Sequence, residues 1–152
     1  MKNPSCAPGF TQVEVLVVLA LAALLAGLVY PTYTHSFVRM RRLEGETALI
    51  EAMQKQELYR ARHGSYVAFS ADAPAPPGLG VHWWSGEAPA SSAYELDASA
   101  CAGEQVADCV VLRARPGTAR VNGRVRDPDC GVLTLDSRGR QAASGPEPKC
   151  WP

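Results

Sequence analysis

Gly9-Phe10-Thr11-Gln12-Val13-Glu14, followed by VLVVLALAALLAGLVY over Val15–Tyr30, is the stretch that decides how this chain is read. The second part is sixteen residues without a polar side chain, and between Lys2 and Arg39 the only formal charge is Glu14. Phe10–Thr34 as a helix spans roughly 37 Å, enough to cross a bilayer core of about 30 Å. A secretory signal peptide is the simpler reading, but Val29-Tyr30-Pro31-Thr32-Tyr33 is a poor small-x-small cleavage site. A buried core helix is the other. Glu14 fits neither, because a carboxylate in an apolar helix costs several kcal/mol unless it is paired. Cutting between Gly9 and Phe10 would place a new amine one helical turn ahead of that acid. The two charges can pair within one chain, or between neighbours in a staggered bundle, where the pairing fixes register.

The whole chain has 152 residues, with 15 Lys plus Arg against 15 Asp plus Glu. That size fits one domain and an appendage, and that balance excludes a strongly basic nucleic-acid module. With 47% apolar residues, and 13 Gly and 12 Pro without a period, it is neither a fibrous repeat nor a fully disordered chain.

Downstream, Pro31 lacks an amide hydrogen and crowds the preceding turn, so it is expected to kink the helix without ending it. Tyr30, Tyr33 and Phe37 fall nearly on one face, as rings at a membrane–water boundary or in ordinary helix packing do. Met40, Leu43, Ile50, Met53, Leu58 and Ala61 lie in an arc of about 140°, interrupted by Arg39, Glu46 and Glu57; this stripe is expected to pack on a sheet. His63-Gly64 is the expected stop. A helix from Phe10 to Arg62 is roughly 80 Å long, too long for a domain of this size. Its first half must therefore be buried in lipid or in other subunits.

Residues 70–93 read as loop by their prolines and glycines. Trp83-Trp84 is expected to pin that loop to the core rather than to serve as a binding hot spot, and His82 has no ligand partner at metal spacing. Strands are expected at Tyr94–Ala98, Cys109–Ala114 and Val132–Asp136, with a turn at Ser137–Gly139 and a short edge strand near Gln141–Ala143. An antiparallel meander laid against the helix gives an α+β domain.

Cys6 stands apart from Cys101, Cys109, Cys130 and Cys150. The latter four allow three connectivities; the favoured one is Cys101–Cys109, local between neighbouring strands, with Cys130–Cys150 enclosing the C-terminal turn. Closing the second loop is worth on the order of 3 kcal/mol. No C-x-x-C pair or nearby histidine suggests a metal, no cofactor motif is present, and no phosphate loop or nucleophile motif suggests an enzyme. From Arg113 to Arg140 there are seven arginines (Arg113, Arg115, Arg120, Arg124, Arg126, Arg138 and Arg140) against Asp127, Asp129 and Asp136. Such a cluster grips DNA phosphates by a salt-sensitive term, or it solvates the surface or meets neighbouring subunits.

Gly9-Phe10-Thr11-x-x-Glu14 with its apolar run resembles the processing motif of type IV pilins and type II secretion pseudopilins. Tyr30-Pro31-x-Tyr33, Arg39-x-Arg41-Arg42, Gln56-Glu57-x-Tyr59, Gly64-Ser65-Tyr66, and Asp129-Cys130-Gly131-x-Leu133-Thr134-Leu135-Asp136-x-x-Gly139 closing with Cys150-Trp151 resemble the PilE-like minor pilin branch. The resemblance implies a type IV pilin fold: a long kinked N-terminal helix on a small antiparallel β-sheet, with a disulfide-bounded C-terminal region. It implies a leader at 1–9, cut between Gly9 and Phe10 by a prepilin peptidase, and N-methylation of Phe10. The transmembrane and assembly half of the helix is then 10–34, with Glu14 and Phe10 as the assembly contact and Pro31 as the kink. A periplasmic domain at 35–152 follows, divided into helix 35–63, loop 64–93, and sheet with C-terminal region 94–152. Implied partners are other pilin subunits, the peptidase, the inner-membrane pilus assembly machinery and the inner membrane itself, before the subunit enters an extracellular pilus.

The leader is less basic than that motif usually has, and Lys2 against Arg39, Arg41 and Arg42 inverts the positive-inside bias. The four cysteines point the other way, to an oxidising compartment, and the family topology agrees with them. The expected role is a structural minor pilin supporting pilus biogenesis, twitching motility and adhesion. The alternatives are a DNA-binding competence minor pilin that uses Arg113–Arg140, and a type II secretion pseudopilin.

Overall fold

The computed structural model describes residues 11–151, apart from the side chains of residues 28–35. The expected cut at Gly9/Phe10 lies outside the described residues, as does the Pro31 side chain on which the expected kink depends. The first element, α1, is one helix over Gln12–His63, and the chain divides into two compact units at Phe37/Val38.

The first unit is the apolar end of α1. Thr11 Oγ1 accepts a hydrogen bond from the Glu14 N–H, closing the first turn. Beyond it Val13, Leu16, Leu19, Leu24 and Leu25 are all more than half exposed. A helix that is apolar all round needs a cover, and these residues have none among the described residues. Among the described residues no helix is long and apolar enough to cross a membrane; the described side chains of this run end at Gly27.

The second unit is a four-stranded antiparallel meander in the order β1-β2-β3-β4: β1 (Tyr94–Ala100), β2 (Val110–Pro116), β3 (Leu133–Asp136) and β4 (Gln141–Ala143). Alternation sorts each strand into two faces. Tyr94, Leu96, Ala98, Leu112, Ala114 and Leu133 point into the core. On the other face Asp97 stands opposite Arg113, and Arg113 opposite Thr134. The free edge of β1 is occupied by single-residue bridges from Phe69, to Ala98, and from Trp84, to Glu95. Trp83 packs against the core, holding the loop as expected.

The helix face against the sheet is not the expected one. Met40, Leu43, Ile50 and Leu58 are exposed, as is Ala61; of that stripe only Met53 packs on the core. The covered face is Gly45, Glu46, Ala48, Leu49, Ala52 and Gln56, small or polar residues apart from Leu49, on nearly the opposite side. Close approach is the reason. A Cβ at Gly45 would sit 2.9 Å from Tyr94 Cδ2, so the ring lies on the helix backbone itself. Gln56 meets the backbone of Val67 twice, donating to its carbonyl at 2.6 Å and accepting from its N–H at 2.9 Å. Apolar periodicity marks a face that needs covering, and in this domain that face is left exposed.

α1 ends at His63, where Gly64 takes a positive φ of 78° and its N–H reaches the Arg60 carbonyl at 2.7 Å. Cys101–Cys109 and Cys130–Cys150 are both bonded. The second joins the loop just before β3 to the C-terminal segment, where the Trp151 indole N–H donates to the Ala142 carbonyl of β4 at 3.0 Å.

Candidate nucleic-acid interface

The seven arginines do not form one patch. Arg113 and Arg115 are alternate residues of β2 on the outer sheet face and converge on Asp97. Arg113 donates to Asp97 Oδ2 at 3.0 and 2.7 Å, while Arg115 Nη2 stands 2.8 Å from Oδ1 without the alignment of a hydrogen bond. At the end of the sheet where β2 begins, Arg138 pairs with Glu104 at 2.6 Å and Arg140 with Asp136 at 2.6 Å. The Asp136 carboxyl is buried, which alone would raise its pKa, but hydrogen bonds from the Arg140 backbone and side chain and the Arg138 N–H hold it below its ordinary value.

The remaining three, Arg120, Arg124 and Arg126, lie at the opposite end, in the loop of residues 117–132 between β2 and β3. Arg120 is tied to Asp72 by two bonds of 2.7 and 2.9 Å, which favour its charged form. Arg126 turns back on its own loop, one nitrogen donating to the carbonyls of Gly123 and Val125. The exposed Arg124 guanidinium has no partner among the described residues. Two cations, Arg124 and Arg126, thus face solvent without a carboxylate beside them.

The loop that carries them is held on several sides. Gly117 has a φ of 56°, and a Cβ there would collide with the Val125 carbonyl, so only glycine allows the loop to close on itself. The Gly117 N–H donates to Ala93 and the Asn122 N–H to Ser92, while the Thr118 hydroxyl donates to Glu95. At its far end Asp127 enters the core. Arg42 of α1 donates to its two oxygens at 2.9 and 2.7 Å, the Tyr94 hydroxyl donates at 2.9 Å and the Cys130 N–H at 3.2 Å. Burial would raise the Asp127 pKa, but these donors outweigh it and hold the carboxyl below its usual range. In turn the Asp127 hydrogen bond raises Arg42, and burial, then the Asp127 charge, push the Tyr94 hydroxyl well up.

Sequence reading missed Arg42, Gly45, Tyr94 and Asp127 as the frame of this loop. The signals were an Arg and two Glu (Glu44, Glu46) with a glycine inside a helix, residues that propensity alone disfavours on a buried face. Glu44 Oε1 likewise ties α1 to the start of β1, accepting from the Ser85 hydroxyl at 2.6 Å and the Ala93 N–H at 2.9 Å.

The family model described as "Type IV minor pilin ComP, DNA uptake sequence receptor" matches residues 31–134. That span takes in the domain half of α1, β1, β2, the whole arginine loop and the first two residues of β3. The chain is therefore a type IV minor pilin. Within that class it belongs to the family so described; the DNA receptor activity in the description is ComP's. No curated protein matches the chain.

Proposed function

We propose that this minor pilin is a DNA receptor, and that Arg124 and Arg126 in the loop of residues 117–132 are its phosphate contacts. The observation that carries this reading is the separation of the seven arginines into five that face carboxylates of the same chain and two that do not. Only a cation free of an internal partner can displace counterions from DNA at full effect. The loop is also fixed in place by Gly117, Asn122 and Asp127, so these groups are held ready rather than ordered on contact. The ComP description, more than the PilE-like branch, directs the choice. DNA binding by the detergent-solubilised chain is titrated with salt. Replacing Arg124 and Arg126 with Ala should weaken binding across sequences and flatten the log–log salt slope by about 1 per phosphate contact removed; an unchanged slope would overturn the assignment.

Assembly into a pilus is the second part of the proposal. The exposed apolar residues of α1 from Val13 to Leu25 support it, as does the exposed ridge of Met40, Leu43, Ile50 and Leu58 opposite the covered face. On this reading the chain is made as an inner-membrane precursor with a periplasmic domain and is cut between Gly9 and Phe10. It is then methylated on Phe10 and stacked with other pilins, with Glu14 setting register. Mass analysis of the N-terminus of membrane-extracted protein tests it, an intact Met1 in cells with active prepilin peptidase being the contrary result. Twitching and adhesion are scored separately from transformation in a deletion strain.

A further inference from the structure

A cavity of about 380 Å³ opens between α1 and the C-terminal segment, lined by Arg39, Arg42, Leu43, Glu46, Lys149, Cys150 and Trp151. Glu46 is the residue in it that the fold does not explain. It is 5% exposed, yet among the described residues nothing hydrogen-bonds or ion-pairs with its carboxylate. Arg42 is near and its charge acts on Glu46, but the two hydrogen bonds it makes are both to Asp127. Its residual exposure opens onto the cavity, and a carboxylate mostly withdrawn from water and without a donor favours an arriving cation. The exposed groups of Arg39 and Lys149 line the same cavity, have no partner of their own among the described residues and are free to take an anion. A simple cation would meet these two, and a simple anion would meet Glu46. One ligand with both charges close together satisfies all three groups. The remaining wall is apolar: Leu43, 52% exposed, and the Trp151 indole, held by its bond to Ala142 beside the Cys130–Cys150 bridge.

We propose that this cavity binds a phosphoethanolamine head group, its ammonium on Glu46, its phosphate between Arg39 and Lys149, and its glycerol end against Leu43 and Trp151. Phospholipid is the source, because a soluble aminophosphate has no use for the exposed leucine and indole. The lipid source rests on the reading of residues 10–34 as a membrane segment; the head-group chemistry does not. Lipid held here would anchor the domain against the bilayer surface before the subunit leaves it.

The test is calorimetric titration of the full chain in maltoside micelles with dihexanoyl phosphatidylethanolamine, dihexanoyl phosphatidylglycerol, free phosphoethanolamine and inorganic phosphate. The ethanolamine lipid should saturate one site and bind at least about tenfold tighter than the glycerol lipid, a difference of about 1.4 kcal/mol. Glu46→Gln, which removes the charge at nearly constant shape, should bring the two lipids to equal affinity. Arg39→Ala with Lys149→Ala should abolish both. The indole N–H resonance of Trp151 in nitrogen-labelled protein should shift on titration and keep its free position in the unliganded variants, which shows that they fold. Equal affinity of the two lipids in the parent chain, or no saturable binding, overturns the proposal; free phosphoethanolamine binding as tightly as the lipid overturns the lipid source. The measurement requires neither cleavage nor DNA, so its result is independent of the tests of pilin processing and DNA binding.

Discussion

Arg42 and Asp127, 85 residues apart in sequence, are joined by two parallel hydrogen bonds of 2.9 and 2.7 Å at a point where the carboxylate side chain is 1% exposed. This pair fastens the arginine loop to α1, with Tyr94 as the third member. Replacing Asp127 with Asn leaves Arg42 only the half-exposed Asp129, 3.8 Å away, and should cost up to about 3 kcal/mol, read as a lower denaturant midpoint. The Asp127 carboxyl is held below its ordinary 3.8. Its stabilising contribution is therefore complete above that value and is lost as pH falls through the folded-state value, so the parent chain should weaken below about pH 4 and the Asn variant much less.

Glu46 should behave in the opposite sense. Burial raises its pKa above the ordinary 4.5, Arg42 opposing and Asp127 adding to the rise. The folded state then holds its proton more tightly than the unfolded chain, and stability falls as pH rises through the interval between the two values. Glu46→Gln should accordingly be more stable than the parent at neutral pH, the difference vanishing below about pH 4. Thermal melts at pH 4 and pH 7 check this.

Gly45→Ala tests the contact between the helix and the sheet. The new methyl would meet Tyr94 Cδ2 at 2.9 Å and Cγ at 3.0 Å, and the ring cannot retreat without loosening its bond to Asp127. Overpacking of about 1–3 kcal/mol should outweigh the roughly 1 kcal/mol that alanine contributes to helix propensity. The melting temperature should drop; a rise would mean that the ring has room to move.

Arg113→Ala should separate structural arginines from those proposed to contact DNA. It removes the two hydrogen bonds to Asp97, whose residue is 6% exposed, and should cost about 1–3 kcal/mol of stability. The salt slope of DNA binding should stay as it is, since this guanidinium is already neutralised.

Removing the two disulfides should have unequal effects. Cys130–Cys150 spans 20 residues and Cys101–Cys109 spans 8, so chain entropy gives about 3 kcal/mol for the first and somewhat less for the second. Serine pairs at each bridge, compared by denaturant midpoint, should rank in that order, and only the first should free the Trp151 indole.

The strands, the helix end at His63 and both bridges could be read from local sequence, because alternation, a terminal glycine and cysteine order are short-range signals. The covered face of α1 could not. Met40, Leu43, Ile50 and Leu58 make the better apolar stripe, whereas Gly45, Ala48 and Ala52 are chosen for closeness and Arg42, Glu44 and Gln56 for partners far along the chain. The same holds for the arginines. Counting charges over 113–140 gives an excess, but Asp72, Asp97 and Glu104, which neutralise Arg120, Arg113 and Arg138, lie outside that window and reach it only through the fold. What remains of the basic stretch, Arg124 and Arg126, is identified by subtraction.

The bridges from Phe69 and Trp84 to β1 bear on crowding. When many copies of this domain stand side by side, an open strand flank would invite them to zip into cross-β ribbons, a polymer with no exit. With that flank already filled by the chain's own loop, crowded copies cannot join through β1.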